Sequence, residues 1–405
     1  MHETLKKHFG FDEFLPLQKD IIQNIVDGKD TLVLLPTGGG KSLCYQLPAM
    51  LLPGITLVVS PLISLMKDQV SGLEDSEIPA AYLNSSLGVR EERAIKERLK
   101  NGELKLLYVA PERLLKEGFM DFLSTLPVSL LAVDEAHCIS EWGHDFRPEY
   151  RKISLVRGLF PNIPVVALTA TATLKVRADI VRQLAFTDFK IFCGSFDRKN
   201  LHYAIRPKQN SYEEILAHIE DRPGQSGIIY CHSRASADRM AKDLLADGIG
   251  ACAYHAGLPQ KEREKNQNLF MKGAVQVVTA TIAFGMGIDK PDVRFVIHHD
   301  LPKNIEGYYQ ETGRAGRDGK PAECILFFSY GDKMKHEFFI SKKTDPEQIR
   351  IAEQQLETMV TYCTANFCRR KMLLQYFGEQ YPKNNCGTCD VCVNFSPVIR
   401  TSVRW

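Results

Sequence analysis

Three glycines followed by a lysine and a serine, Thr37-Gly38-Gly39-Gly40-Lys41-Ser42, form a stretch suited to phosphate binding. Without β-carbons, the glycines let successive backbone N–H groups converge on phosphate oxygens. Lys41 would reach the β- and γ-phosphates of a nucleotide, and the Ser42 hydroxyl would ligate Mg²⁺. The match to G-x-x-x-x-G-K-[ST] is incomplete, because its first glycine position holds Leu35. Asp134-Glu135-Ala136-His137 supplies the complementary chemistry. Asp134 would hold Mg²⁺ directly or through water, and Glu135 would position and deprotonate the attacking water. Alone, that pair reads better as the acidic start of a helix. After an apolar strand, and with a phosphate loop in the same chain, it reads as catalytic.

Further residue groups extend the pattern. Arg314 and Arg317 follow Gly-rich turns in the later part of the chain, where a guanidinium could neutralise charge developing on a transferred phosphoryl group. Arg317 is the first choice for that role and Arg314 the second; the alternative is a pair of solvated surface arginines. Trp142, Phe146 and Arg147 lie just beyond the carboxylates among Gly143, His144 and Asp145, a mixture that favours a loop over core packing. Single-stranded bases stack on such side chains, so a loop here would connect strand occupancy to Glu135. Near the C-terminal end, Cys386-x₂-Cys389-x₂-Cys392 with Cys368 upstream offers four thiolates. Tetrahedral Zn²⁺ takes four such ligands, with Cys363 as a substitute for Cys368. The rival is an iron–sulfur cluster, although a ferredoxin run would continue with a cysteine before proline where this chain has Ser396-Pro397.

The elements that must position these groups are strands and helices in alternation. Apolar runs at Thr31–Leu35, Ile55–Ser60, Lys105–Val109, Leu130–Val133 and Val165–Thr169 form one series. Runs at Gly227–Cys231, Ala251–Tyr254, Val275–Thr279, Phe295–His298 and Ala322–Phe328 form another. Alternation of this kind predicts two α/β domains built on parallel sheets, with a seam near the polar stretch 194–200. After Tyr330 the strand pattern stops, and 348–377 reads as helical before the cysteines. The 405 residues suffice for two or three domains, and 51 Lys+Arg against 49 Asp+Glu confine any basic binding surface to a local patch. Eleven scattered cysteines and an N-terminus without an apolar signal core point to reduced thiols in the cytoplasm or nucleus rather than secretion. The uncharged stretch Ser42–Met66 has the length of a membrane span, but Pro48, Pro53, Gly54 and Pro61 divide it, so no membrane association is expected.

The ordered motifs resemble the RecQ family of superfamily-two helicases. They run from Phe14-Leu15-Pro16-Leu17-Gln18 through the phosphate loop, 60–69 (Ser60-Pro61 onward), Ala110-Pro111-Glu112-Arg113 and Asp134-Glu135-Ala136-His137. They continue with Thr169-Ala170-Thr171-Ala172, Tyr230-Cys231-His232-Ser233-Arg234, Phe284 to Lys290, and Gln310 to Arg317. The segment Cys138–Pro148 is similar to the aromatic-rich loop typical of that family. The resemblance implies two RecA-like parallel-sheet domains at 1–197 and 198–332, followed by a helical zinc-binding domain at 333–405. It implies ATP bound at the interface of the first two, with Gln18 reading the adenine edge, and an ATP-dependent DNA helicase acting 3′→5′ on single-stranded and tailed duplex DNA in repair or recombination. A DNA-stimulated translocase without strand separation, an RNA helicase and a catalytically silent nucleic-acid-binding module are the rival readings. The sequence departs from the family at Leu15, where an arginine is usual; larger members also continue past the metal site into a winged-helix domain, whereas the sequence here stops at Trp405. Weak duplex binding and short, salt-sensitive unwinding are expected from that ending.

Overall fold

The structure, a computed structural model, describes residues 1–84, 87–282, 284 and 290–393. Its chain divides into two compact units with the sequence boundary between Phe196 and Asp197.

The first unit is built on a parallel sheet of seven strands: β1 (Asp30–Leu34), β2 (Ile55–Val59), β3 (Ala80–Leu83), β4 (Leu106–Val109), β5 (Val128–Val133), β6 (Val165–Thr169) and β7 (Phe189–Cys193). Their order is β3-β4-β2-β5-β6-β1-β7, and every pairing is parallel. β1, β2 and β6 are buried along their whole lengths, which is why they read as unbroken apolar runs: a parallel strand covered on both faces has no solvent side. Ile21, Cys44, Tyr45, Met66, Val70 and Tyr108 bring helices 18–26, 43–51 and 63–75 and strand β4 into one core with the sheet.

The second unit carries a parallel sheet of six strands: β8 (Leu201–Pro207), β9 (Ser226–Tyr230), β10 (Ala251–Tyr254), β11 (Val277–Ala280), β12 (Val293–His298) and β13 (Ala322–Phe328). Their order is β10-β11-β9-β12-β13-β8. Helices Tyr330–Ile340, Pro346–Thr364 and Arg369–Tyr376 follow, and they belong to the same compact unit as this sheet.

Two sheets of five strands were expected from the apolar runs, and β3, β7 and β8 correct that count. Strand β3 has only four residues behind Pro79. β7 is an edge strand with most of its residues exposed, and β8 carries His202, Arg206 and Pro207. β7 and β8 lack the continuous apolar run that marks a doubly covered strand, and β3, Ala-Ala-Tyr-Leu, is apolar but short. Among the described residues, no helix is long and apolar enough to cross a membrane. The stretch 42–66 instead holds helix Leu43–Leu51, strand β2 and the start of helix Ile63–Asp75. Residues 285–289 of the motif that starts at Phe284, Ser396-Pro397 and Trp405 lie outside the described residues.

Candidate functional site

The strand order places the C-terminal ends of β1, β5 and β6 side by side. Three of the motifs leave the first sheet at these ends, and the carboxyl edge of an open parallel sheet is where ligands bind. After β1, the chain turns through Gly38 (φ 81°) and Gly40 (φ 70°) into helix Leu43–Leu51. A side chain at Gly40 would be excluded twice, by its left-handed backbone and by Gln18 Nε2, which would lie 2.2 Å from its β-carbon. Gln18 Nε2 donates to Gly40 O at 3.1 Å, and its Oε1 accepts from Leu15 N at 2.8 Å. Gln18 is thus buried and braces the phosphate loop from behind. Lys41 Nζ donates to the carbonyls of Leu35 and Pro36 at 3.2 and 3.3 Å, which hold the ammonium over the loop.

β5 delivers Asp134 and Glu135. Asp134 N donates to Val59 O at 2.9 Å, and Tyr150 Oη donates to Asp134 O at 3.0 Å, so the backbone is held from both sides. Glu135 adopts φ 46°, a left-handed conformation unusual for a residue with a β-carbon. Backbone strain of this kind is kept at functional positions where the surroundings over-determine it. Burial, followed by the adjacent Glu135 charge, raises the Asp134 carboxyl above the usual carboxylate range. Glu135 goes the other way: burial opposes its charge, but the hydrogen bond from His137 lowers it. His137 Nδ1 lies 3.3 Å from Glu135 Oε2 and 2.9 Å from Thr169 Oγ1, at the end of β6. Burial works against a charged imidazole there, yet Cys138 and Glu135 keep His137 well above its ordinary range. Thr169 Oγ1 in turn donates to Thr171 O at 3.2 Å. A line of contacts, an ion pair from Glu135 to His137 and hydrogen bonds beyond it, therefore runs to Thr169-Ala170-Thr171.

A buried carboxylate raised by burial and by a like charge gains from a divalent cation, and the Asp134 carboxyl fits one in that sense. Ser42 is half-buried at the start of the helix that follows the loop.

The segment beyond the carboxylates turns tightly. A β-carbon on Gly143 would meet His137 O at 2.2 Å, so this close approach requires glycine. Trp142 and Phe146 are half-buried, which places them outside the core of the sheet. The Lys175 ammonium sits over the Trp142 ring, and the Arg151 guanidinium lies 5.2 Å from the Phe146 centroid while pairing with Glu141 at 2.7 Å. Arg147 is engaged within the fold. Its guanidinium donates to Pro61 O at 2.9 Å and to Asp145 Oδ2 at 2.9 and 3.1 Å. These bonds tie the aromatic loop to the end of β2, so Arg147 works as a tether within the fold.

In the second unit, helix Ile305–Thr312 starts with Asn304, whose Oδ1 accepts from Gly307 N at 2.9 Å, and ends in the loop that carries Arg314 and Arg317. Arg314 is buried and Arg317 half-buried. The loop is held by residues that sequence reasoning did not single out. Arg198 donates to the carbonyls of Gly313, Ala315 and Gly316, and Asn200 to those of Gly316 and Lys320. The only sequence signal was their place in the polar stretch between the two strand series.

The sulfur atoms of Cys368, Cys386, Cys389 and Cys392 all lie within 4.8 Å of one another. Backbone N–H groups of Cys389 and Cys386 donate to Cys386 Sγ and Cys392 Sγ at 3.3 and 3.4 Å, and Thr388 Oγ1 donates to Cys386 Sγ at 3.4 Å. Four convergent sulfurs with N–H donors suit thiolates on a tetrahedral ion, so the residues fit zinc. Cys363 is buried elsewhere and is not part of the cluster.

Comparisons with known proteins agree in extent with these parts. The chain matches the DEAD/DEAH box helicase family over residues 15–180, the helicase conserved C-terminal domain over 208–319, and the RecQ zinc-binding family over 330–393. It is 47% identical to the ATP-dependent DNA helicase RecQ of Pasteurella multocida over 97% of this chain, and 46% identical to that of Haemophilus influenzae over 96%. The chain spans 62% and 63% of the length of these relatives. Its fold is similar to that of the Mycobacterium smegmatis helicase Lhr bound to ssDNA and AMP-PNP, with a TM-score of 0.64 and 20% identity over 91% of this chain and 58% of that one.

Proposed function

Since the chain belongs to the RecQ family of helicases, we propose that it is an ATP-dependent DNA helicase that hydrolyses ATP to advance along one DNA strand and separate a duplex. The observation that most directly supports this reading is the line Glu135–His137–Thr169, which joins the carboxylates to the neighbouring strand end in the sheet that carries the phosphate loop. Thr37, Gly38, Gly39, Gly40 and Lys41 would cradle the nucleotide phosphates, and Gln18 would keep the loop in shape as well as serve the adenine edge. Mg²⁺, held by Ser42 and Asp134, would neutralise phosphate charge. Glu135, kept ionised by His137, would take the proton of the attacking water, and Arg317 with Arg314 would stabilise charge on the transferred phosphoryl group. Trp142 and Phe146 would stack on bases, and Arg147 would hold their loop against Pro61. Zinc on Cys368, Cys386, Cys389 and Cys392 would be structural, a closed four-ligand site that supplies folding energy rather than catalysis.

The proposed polarity is 3′→5′, the proposed setting is repair or recombination in the cytoplasm or nucleus, and the proposed domain limits are 197/198 and 332/333. Displacement of a labelled strand from 3′-tailed, 5′-tailed and forked duplexes, run beside an ATP-turnover assay, tests the reading. ATP-dependent displacement from the 3′-tailed and forked substrates alone is expected. Turnover without displacement would leave a translocase, and displacement from RNA duplexes only would leave an RNA helicase.

A further inference from the structure

The loop that carries Arg314 and Arg317 begins where helix Ile305–Thr312 ends, and helix ends leave carbonyls that need donors. Here the donors come from far away in sequence. Arg198 Nη1 donates to Gly313 O at 3.0 Å, and its Nη2 donates to Ala315 O at 2.8 Å and Gly316 O at 3.0 Å. Asn200 Nδ2 donates to Gly316 O and Lys320 O, both at 2.8 Å. Gly316 has φ 55°, and a β-carbon there would lie 2.4 Å from Asn200 Nδ2. The loop has thus been shaped to admit these two side chains.

Arg198 is itself held in place. The backbone carbonyl of Arg198 accepts from Arg370 Nη1 at 2.8 Å, while the same nitrogen pairs with Asp197 Oδ1, and Arg370 Nη2 donates to Leu201 O at 2.8 Å. Arg370 is 4% exposed and stands two residues after Cys368. Its Nη2 also donates to Thr388 Oγ1 at 3.2 Å, and Thr388 donates to Cys386 Sγ. The same helix is gripped a second time from the cysteine module (residues 368–392), at its first turn and middle rather than its end: Tyr376 Oη donates to Glu306 Oε1 at 2.6 Å, and the Phe377 ring packs 4.9 Å from that of Tyr309.

We propose that Arg198 is a positioning residue for nucleotide hydrolysis: locked by Arg370 of the cysteine module, it fixes the Gly313–Gly316 backbone and so aims Arg314 and Arg317. This rests on the reading of Arg317 as the residue that stabilises transferred-phosphoryl charge. A guanidinium is required because it spreads donors over separate nitrogens in a rigid fork that engages three carbonyls, which the single nitrogen of a lysine cannot match. The cysteine module then acts on ATP turnover through a line of hydrogen bonds, without touching nucleotide.

The test is a double-mutant cycle in the full chain, using Arg198→Lys, Arg317→Ala and the pair, with ATP kinetics, single-stranded DNA affinity, metal content and melting measured for each. Arg198→Lys is expected to lower kcat by about 10- to 100-fold, the scale of small misplacements of a catalytic group, with KM for ATP and DNA affinity unchanged. In the Arg317→Ala background it is expected to change kcat by less than about two-fold, since the two residues act as one unit. Arg370→Lys is expected to reproduce the kcat effect with metal content retained, and the cycle is read from that variant should Arg198→Lys melt early. Parental kcat for a folded variant, or an equal loss with and without Arg317, overturns the proposal while leaving the Arg317 reading intact. Parental turnover by Arg317→Ala overturns that reading and this proposal with it.

Discussion

On the proposed reading, the two units share one task, holding a charged group where phosphate chemistry would use it, and do so by different means. In the first, Lys41, Asp134 and Glu135 stand at strand ends, and local backbone places them: three glycines in a turn, a left-handed residue after β5 and a sheet order that juxtaposes β1, β6 and β5. In the second, Arg314 and Arg317 stand on a loop whose shape comes from guanidinium and amide donors at Arg198, Asn200 and Arg370, with Arg198 standing 118 residues from Gly316 and Arg370 172 residues from Arg198. A site made from strand ends tolerates change in distant residues as long as the sheet persists. A loop made from remote hydrogen bonds is exposed to every residue in the chain of contacts.

The largest test of that difference is to remove the metal ligand. Cys386→Ser should lose bound zinc and unfold the cysteine module, because metal binding in such a site contributes about 10–16 kcal/mol of apparent folding free energy. With the module go the Asp390 carboxylate that accepts from Ile205 N of β8 and the Arg369 guanidinium paired to it. The second unit should therefore melt earlier while the first unit's transition stays in place. Elemental analysis of the parent should find about one zinc per chain and no iron. Iron with labile sulfide would reverse the metal assignment, and a common downward shift of both transitions would contradict the contrast between the units.

A second test acts within the first unit. Trp142→Ala or Phe146→Ala should leave basal ATP turnover near the parent level and reduce its stimulation by single-stranded DNA roughly five- to ten-fold, as expected for about 1–3 kcal/mol of stacking per base. Unchanged stimulation in the double variant would make these rings packing groups.

How much of this was readable in advance follows the same division. Glycines before Lys41, carboxylates after an apolar run and Cys-x₂-Cys spacing are local, so the phosphate loop, the Asp134–Glu135 pair and the cysteine cluster were all visible in the sequence. Most of the strands found are buried over nearly their whole length; the half-buried edge strand β10 was found from its apolar run Ala251–Tyr254. β7 was missed because it is an exposed edge, and β8 because its polar residues break the apolar run. Gln18 was identified, but its brace against Gly40 depends on a contact across 22 residues that spacing does not reveal. Arg198 and Arg370, and the bond from Arg147 to Pro61 O, were missed for one physical reason: a guanidinium reads as a solvent or ligand contact until the backbone carbonyls that it satisfies are located.

The smallest effect concerns acid stability. Burial disfavours the Glu92 charge, but hydrogen bonds from Arg113, Lys96 and Lys116 outweigh it and lower the carboxyl to about 2. A depressed folded-state value contributes stability that is fully present above the unfolded value, about 4.3, and is lost as pH falls toward 2. The difference in stability between the parent and Glu92→Gln should thus be constant above about pH 5 and shrink between there and pH 2. Acid titrations of both proteins, followed by chemical denaturation at each pH, measure it. A difference that does not depend on pH would mean that Glu92 contributes by packing alone.

The measurement closest to the central claim is ATP turnover by the full chain, with and without single-stranded DNA, for the parent and for Glu135→Gln. If Glu135 is the base and the loop at Lys41 binds the nucleotide, DNA should stimulate the parent. Glu135→Gln should bind ATP as the parent does but hydrolyse it about 10²- to 10⁴-fold more slowly, with or without DNA. Turnover near the parent level in Glu135→Gln, or a parent indifferent to DNA, would contradict the account.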